Sequence, residues 1–375
     1  MREGKVSRER SEKTGSVAAK IDLHALKYNF GVMKRKTGKE IIPVVKANAY
    51  GHGILEVSRF LEEKCGVKML AAARMSEGEQ LRKGGIKSGI LILNGAEKNE
   101  LKDAVKYNLV LSVYSAEKLR EISDFCLQKG KKISVHLKFN TGMNRLGLPL
   151  EYADTAKNII EDNVFLELEG VYTHFADADR ENDSRTLKQA KMFEGLKKVF
   201  GKKVMYHAAN SAAAVRYKAA RFDAVRPGIM LYGCLPVKNF PKGIKLRPVM
   251  SLSAPVLQVK KINKGDRVSY GGKYTAKKSE TAAIIAVGYG DGFFRSLSEK
   301  GYVMIKGKKA PVLGAVCMDM TAVRAPKGTK PGDSALVFGK SGKYILPVED
   351  AAKEAGTIPY EILTGITDRV ERVYR

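Results

Sequence analysis

The chain has 375 residues, 44% of them hydrophobic and 36 of them glycine, which is enough to bury a large core and build two domains. A formal net charge of +27 attracts phosphates and acidic surfaces, but the lysines and arginines are scattered, without zinc-finger spacing, an RRM-like aromatic signature or a long basic arm; this argues against specific nucleic-acid binding and leaves only weak, salt-sensitive adhesion to polyanions. Four widely spaced cysteines (Cys65, Cys126, Cys234, Cys317) and five histidines in no H-x-x-x-H or H-E-x-x-H spacing argue against a disulfide framework and metal catalysis, and fit a reduced, cytoplasmic location.

Residues 1–16 are charged and polar, the composition of a disordered tail. They lack the apolar core of a signal peptide, and no run in the chain approaches the length of a membrane span. Val17 to Leu23 alternates as a strand, and Ala25 to Lys34 reads as a helix. From Ile41 to about Gly233, apolar runs recur with amphipathic segments between them, the pattern of βα units. Eight runs are expected as strands: Ile41 to Ala47, Met69 to Ala73, Gly89 to Asn94, Leu109 to Tyr114, Ile133 to Phe139, Leu166 to His174, Val204 to Ala208 and Ala224 to Tyr232. Eight such units predict a TIM barrel, with reactive groups at the carboxyl ends of the strands and a phosphate site after strands seven and eight.

Polar residues fall where that architecture expects them. The first run continues as V-V-K-A-N-A-Y-G-H-G and delivers Lys46 at a strand end, where desolvation favours the neutral amine needed for Schiff-base chemistry. A lysine that simply reaches solvent gives the same pattern. After the fifth run, the turn-rich K-F-N-T-G-M-N-R-L-G from Lys138 to Gly147 exposes Arg145, either a surface arginine or one that holds a carboxylate. The sixth run ends in Y-T-H-F, placing His174 at the barrel mouth in a structural or a catalytic role, whereas His207 reads as a core or loop histidine. Runs seven and eight bring Asn210 and Ser211, which read equally as a helix cap, and a Pro227, Gly228, Ile229 turn whose amides can approach a phosphate.

Beyond Leu235 a lysine- and proline-rich segment leads into alternating strands without intervening helices. Val249 to Ile262, Thr281 to Val287, Val303 to Ile305, Ala310 to Val323 and Ala335 to Phe338 predict a mostly antiparallel β domain, followed by a helix from Val348 to about Leu363 and a closing strand from Val370 to Tyr374. The expected layout is a tail at 1–16, a barrel domain at 17–240 and a β domain at 241–375, with the alternative that the strand at 17–23 joins the β domain. Tyr270 precedes a glycine pair, which puts its hydroxyl at a hairpin tip.

Together K-A-N-A-Y-G-H-G, K-F-N-T-G-M-N-R-L-G, Y-T-H-F, V-S-Y-G-G-K-Y-T-A and G-A-V-C-M-D-M closely resemble motifs of the alanine racemases, and the resemblance runs from about Ile21 to near the C-terminus. It implies a pyridoxal 5'-phosphate enzyme that interconverts L- and D-alanine for D-alanine biosynthesis, with the cofactor joined to Lys46. It further implies that Tyr50, Asn210, Ser211, Gly228 and Ile229 hold the phosphate, that His174 sits beside the ring and that Arg226 faces the pyridine nitrogen. Arg145, the Met318 amide and Tyr289 are implied to serve the substrate or its entry. Lys46 and Tyr270 are implied to carry protons on opposite faces of the substrate, within a homodimer whose β domain caps the partner's barrel. In some family members the lysine matching Lys138 is carbamylated and orients the arginine. Two positions depart from the pattern: Asn140 stands where many relatives have aspartate, and Asp368 where several have a tyrosine that reaches the phosphate. Alternatives are a racemase of serine or lysine, a barrel-type decarboxylase and a non-catalytic pyridoxal-phosphate carrier, the last resembling the barrel alone.

Overall fold

The structure, a computed structural model, describes residues 16–181, 183–237, 240–241 and 243–375. All but the last residue of the expected tail lies outside them. The chain divides into two units: Leu26–Ala49 with Gly53–Arg247, and Pro248–Arg375 with Tyr50–His52 and the described residues up to Ala25.

The first unit is a parallel eight-stranded barrel. Met69–Ala72, Gly89–Ile92, Val110–Val113, Ile133–Lys138, Leu166–Tyr172, Met205–His207, Ala224–Val225 and Glu40–Ile41 pair in that order. The ring closes through a parallel bridge between Val44 and Ala71, in which the Val45 amide donates to the Ala71 carbonyl at 2.9 Å. Strands such as Val110–Val113 are buried throughout, as expected for parallel strands covered on both faces. All eight expected runs contain strands, but two are cut short. Pro43 interrupts the first, and the last ends at Val225 because Pro227 has no N–H and the chain turns back with Leu231 N donating to Gly228 O at 2.9 Å. The helix Ala116–Lys129 illustrates the outer layer. Ser115 caps it by accepting from Lys118 N, and Gly130 ends it at φ 58°. Its Leu119, Ile122, Ser123 and Cys126 share the buried stripe, where each large aliphatic side chain contributes about 1.5–3 kcal/mol.

The second unit is a mostly antiparallel sheet. Its main path runs Lys308–Pro311, Tyr302–Ile305, Ser334–Ser341, Met250–Ile262, Ala18–Ile21, Glu371–Tyr374, and Glu280–Ile285 joins Met250–Ile262 to Thr321–Arg324. Ala18–Ile21 pairs antiparallel with Met250–Ile262 and parallel with Glu371–Tyr374. Two expectations need correction. The run Ala310 to Val323 is two strands separated by a loop at 312–320, because Gly314 turns at φ 72° directly against the Val268 carbonyl. The late helix is two helices, Val348–Ala355 and Pro359–Thr364; Gly356 ends the first in the left-handed region and Pro359 opens the second.

Candidate active site

In the barrel unit, Lys46 opens an unusual turn. Ala47, Asn48, Ala49 and Tyr50 all have φ between 51° and 54°, a run of left-handed residues that costs about 1–2 kcal/mol each for residues other than glycine. Side chains hold this turn in place. Glu77 accepts from Ala47 N at 2.6 Å and Ala73 N at 2.7 Å, and Asn48 Oδ1 accepts from Ile54 N at 2.8 Å. The strand-end lysine expected from the sequence therefore sits at the head of a strained, braced turn. Burial lowers the Lys46 amine's pKa, as do the charges of Arg145 and Arg226, while Glu77 opposes the fall.

Arg226 is 4% exposed and anchors the neighbouring strand end. Its Nη2 donates to the carbonyls of Thr173 at 2.7 Å and Ala208 at 3.0 Å and lies 3.3 Å from His174 Nδ1. Its Nη1 lies 2.6 Å from His207 Nδ1, and His207 Nε2 lies 2.8 Å from His136 Nδ1. A guanidinium only donates, so His207 accepts at Nδ1 and carries its proton on Nε2, which in turn donates to His136. Burial, with Arg226 next in weight, pushes His136 down to about 3 and His207 well below the usual imidazole range. His174 is held neutral by burial and by Arg226, Arg145, Lys138 and Lys46. Tyr172 stacks on His207 with centroids 4.9 Å apart, and a Cβ at Gly170 would come within 2.6 Å of the His136 ring, so only glycine fits there. His207 and His136 were not legible as site residues, since nothing local marks two histidines as the support of an arginine.

Lys138 is 7% exposed, and burial together with Arg226, Arg145 and Lys46 pushes its amine down to about 8. Arg145 is exposed and has no hydrogen-bond or ion-pair partner among the described residues. Asn140 braces its loop: Oδ1 accepts from Gly142 N at 3.1 Å and Asn144 N at 3.0 Å, and Nδ2 donates to Asn144 Oδ1. Those acceptor bonds ask for an oxygen, not a charge, so a neutral amide serves them. Ser211 Oγ accepts from Gly228 N at 3.0 Å, Asn210 caps the following helix through Ala213 N, and Ile229 is fully buried in the adjoining turn. The Ser211 hydroxyl, the Ile229 amide, the Gly228 amide that here donates to Ser211, and a lysine amine set among guanidiniums are donors of the kind a phosphorylated carbonyl compound needs.

The β unit holds the remaining predicted residues. Tyr50 is buried there with its ring 6.0 Å from Tyr360, and burial raises its hydroxyl pKa. Tyr270 stands at a hairpin tip between Arg267–Val268 and Tyr274–Thr275 and is 74% exposed. Met318 and Tyr289, both exposed, come together: Tyr289 N donates to Cys317 O at 2.9 Å and Gly290 N to Met318 O at 2.9 Å. Arg369 ties the two loops through Asp319 at 2.7 Å and Asp291 at 3.5 Å. Asp368 is 99% exposed, with Arg372 3.8 Å away.

The family model for the alanine racemase N-terminal domain matches residues 21–236, and the model for the C-terminal domain matches residues 249–374. The chain belongs to the alanine racemase family. An alanine racemase of Carboxydothermus hydrogenoformans is 40% identical over 366 residues, covering 96% of this chain and 99% of that protein. One from Methanococcus maripaludis is 38% identical, covering 95% and 98%. Among solved structures, alanine racemase of Clostridium difficile 630 aligns with a TM-score of 0.90 at 36% identity, covering 96% of each chain. That of Bacillus anthracis, with bound L-Ala-P, aligns at 0.88 and 34% identity, covering 96% of this chain and 95% of that one. Within the alanine racemase family both units are thus accounted for, and a barrel-only carrier protein is not. Among the described residues, no helix is long and apolar enough to cross a membrane.

Proposed function

We propose that the protein is an alanine racemase that uses pyridoxal 5'-phosphate, works as a homodimer in the cytoplasm and supplies D-alanine. The observation that carries this reading is the pairing of a depressed-pKa lysine, Lys46, with a buried, histidine-backed arginine, Arg226, at adjoining barrel strand ends. The donor set fits the cofactor: Ser211 and the amides of Gly228 and Ile229 for its phosphate, with Asn210 and Tyr50 supporting them, Arg226 for its ring nitrogen and His174 beside its ring. Bound there, the cofactor makes the Cα–H of an attached amino acid acidic.

This chain's residues then do the rest. Lys46, whose amine pKa is lowered by burial, takes or returns the proton on the D-side face. Tyr270 of a second copy serves the L-side face, so inversion needs no release of substrate. Arg226 only donates and its own proton cannot be lost, which leaves the ring nitrogen unprotonated, favours return of the proton to Cα and disfavours transamination. Arg145, oriented by Lys138, and the Met318 amide of the second copy hold the substrate carboxylate, and that copy's Tyr289 lines the entry. The purified protein, loaded with pyridoxal phosphate and given L-alanine in deuterated water, is expected to release D-alanine carrying deuterium at Cα. Faster turnover of L-serine or L-lysine in parallel reactions would reassign the substrate, and no exchange with any of the three would refute the reading.

A further inference from the structure

We infer that Ser269 is a positioning residue that aims the Tyr270 hydroxyl and locks it to the loop carrying Met318. This rests on the reading of Tyr270 as a proton carrier. Within its own chain the Tyr270 ring is three quarters exposed, so there it takes its direction from its backbone and not from side chains packed against it. That backbone is set by Ser269, which adopts φ 64° and ψ −175°, a region where glycine alone sits without penalty. A non-glycine residue persists there only when its surroundings over-determine it, and at Ser269 they do. Its Oγ donates to the Ala315 carbonyl at 2.7 Å and lies 3.3 Å from Cys317 Sγ. Its own carbonyl accepts from Gly272 N at 3.1 Å, while Arg267 Nη2 donates to Gly271 O at 3.0 Å from the other side of the tip.

The loop at 312–320 lies against the same hairpin: a Cβ at Gly314 would stand 2.5 Å from Val268 O and 3.3 Å from the Ser269 Cβ. Cys317 passes the connection on, since its carbonyl accepts from Tyr289 N. Tyr270, Met318 and Tyr289 therefore share one frame, and the Ser269 hydroxyl is the side-chain bond that joins the hairpin to it. A phenol held this way keeps a fixed offset from the amide assigned to the substrate carboxylate, which is the geometric need of proton transfer to a single carbon face.

The test compares the loaded holoenzyme with Ser269→Ala, Ser269→Gly and Tyr270→Phe. Ser269→Gly relaxes the backbone while removing the hydroxyl, so it folds even if alanine is strained at this position. Hydrogen exchange at the amides of residues 270–275 is expected to quicken roughly two- to tenfold in both Ser269 variants, with the amides of Met250–Ile262 unchanged. The primary isotope effect with Cα-deuterated L-alanine should rise and that with Cα-deuterated D-alanine should fall, because only the Tyr270 step has slowed. Wild-type exchange and isotope effects in both variants would overturn the inference, as would a slower enzyme with both isotope effects unchanged. If Tyr270→Phe shifts the isotope effects and the Ser269 variants do not, the role of Ser269 alone is lost; if Tyr270→Phe shifts nothing, the assignment of Tyr270 falls, and the inference with it.

Discussion

Lys138 gives the sharpest energetic prediction. Buried at 7% exposure beside Arg226, Arg145 and Lys46, its amine falls from 10.5 to about 8. At about 1.4 kcal/mol per pH unit, that fall corresponds to roughly 3 kcal/mol of destabilisation when the amine is charged in both folded and unfolded chains. Because the folded pKa is the lower one, the unfolded chain binds more protons between about pH 8 and 10.5, and stability rises with pH through that window. Below pH 8 the penalty is fully present; above about 10.5 it is gone. Lys138→Met keeps the volume and removes the charge, giving up a cation–π contact with Tyr172, 5.7 Å from the ring centroid, worth about 0.5–2 kcal/mol. Urea unfolding at fixed protein concentration in carbon-dioxide-free buffer should find the variant about 1–3 kcal/mol more stable than the parent at pH 7. At pH 10.5 the gain should have shrunk by about 3 kcal/mol, to zero or to a slight loss. A stability difference that does not change with pH, or a variant less stable at pH 7, would refute the assignment of Lys138 as a buried cation held among like charges.

Replacing His207 by phenylalanine keeps the stack on Tyr172 but orphans Arg226 Nη1 and His136 Nδ1, at a cost of about 3 kcal/mol; calorimetry should record a Tm lower by about 4 °C. Glu77→Ala removes the acceptor for the amides of Ala47 and Ala73 and frees the left-handed turn, so urea unfolding should show a loss of about 2–3 kcal/mol, and dialysis a weaker hold on pyridoxal phosphate. Gly170→Ala puts a methyl group 2.6 Å from the His136 ring; an expected loss of about 1–3 kcal/mol is checked by the same unfolding assay.

The barrel was legible because parallel strands are buried on both faces and read as apolar runs, as Met69–Ala72 and Gly89–Ile92 do. Strand ends were harder to place, since Pro43 and Pro227 cut two runs whose apolar composition continues beyond them. The left-handed turn after Lys46 was not readable: alanine and tyrosine do not announce positive φ, one asparagine signals a single such residue and not four, and Glu77, which braces the turn, lies 30 positions away. His207 was missed for the same reason, because its meaning depends on Arg226 and on His136, 71 residues apart from it in sequence. Nothing in the sequence marks Ser269, whose meaning depends on its own backbone and on the distant Ala315 carbonyl. Tyr270, by contrast, was placed at a hairpin tip by the glycine pair that follows it.

The claim that everything else depends on is that each site joins Lys46 of one copy to Tyr270 of another. Lys46→Ala and Tyr270→Phe proteins, each nearly inactive, can be mixed, allowed to exchange subunits and assayed for racemisation. Shared sites predict that activity returns to about a quarter of the unmodified level, because half the dimers are mixed and one of their two sites is intact. Activity that stays at the sum of the two separate variants, although mixed dimers have formed, would contradict the account.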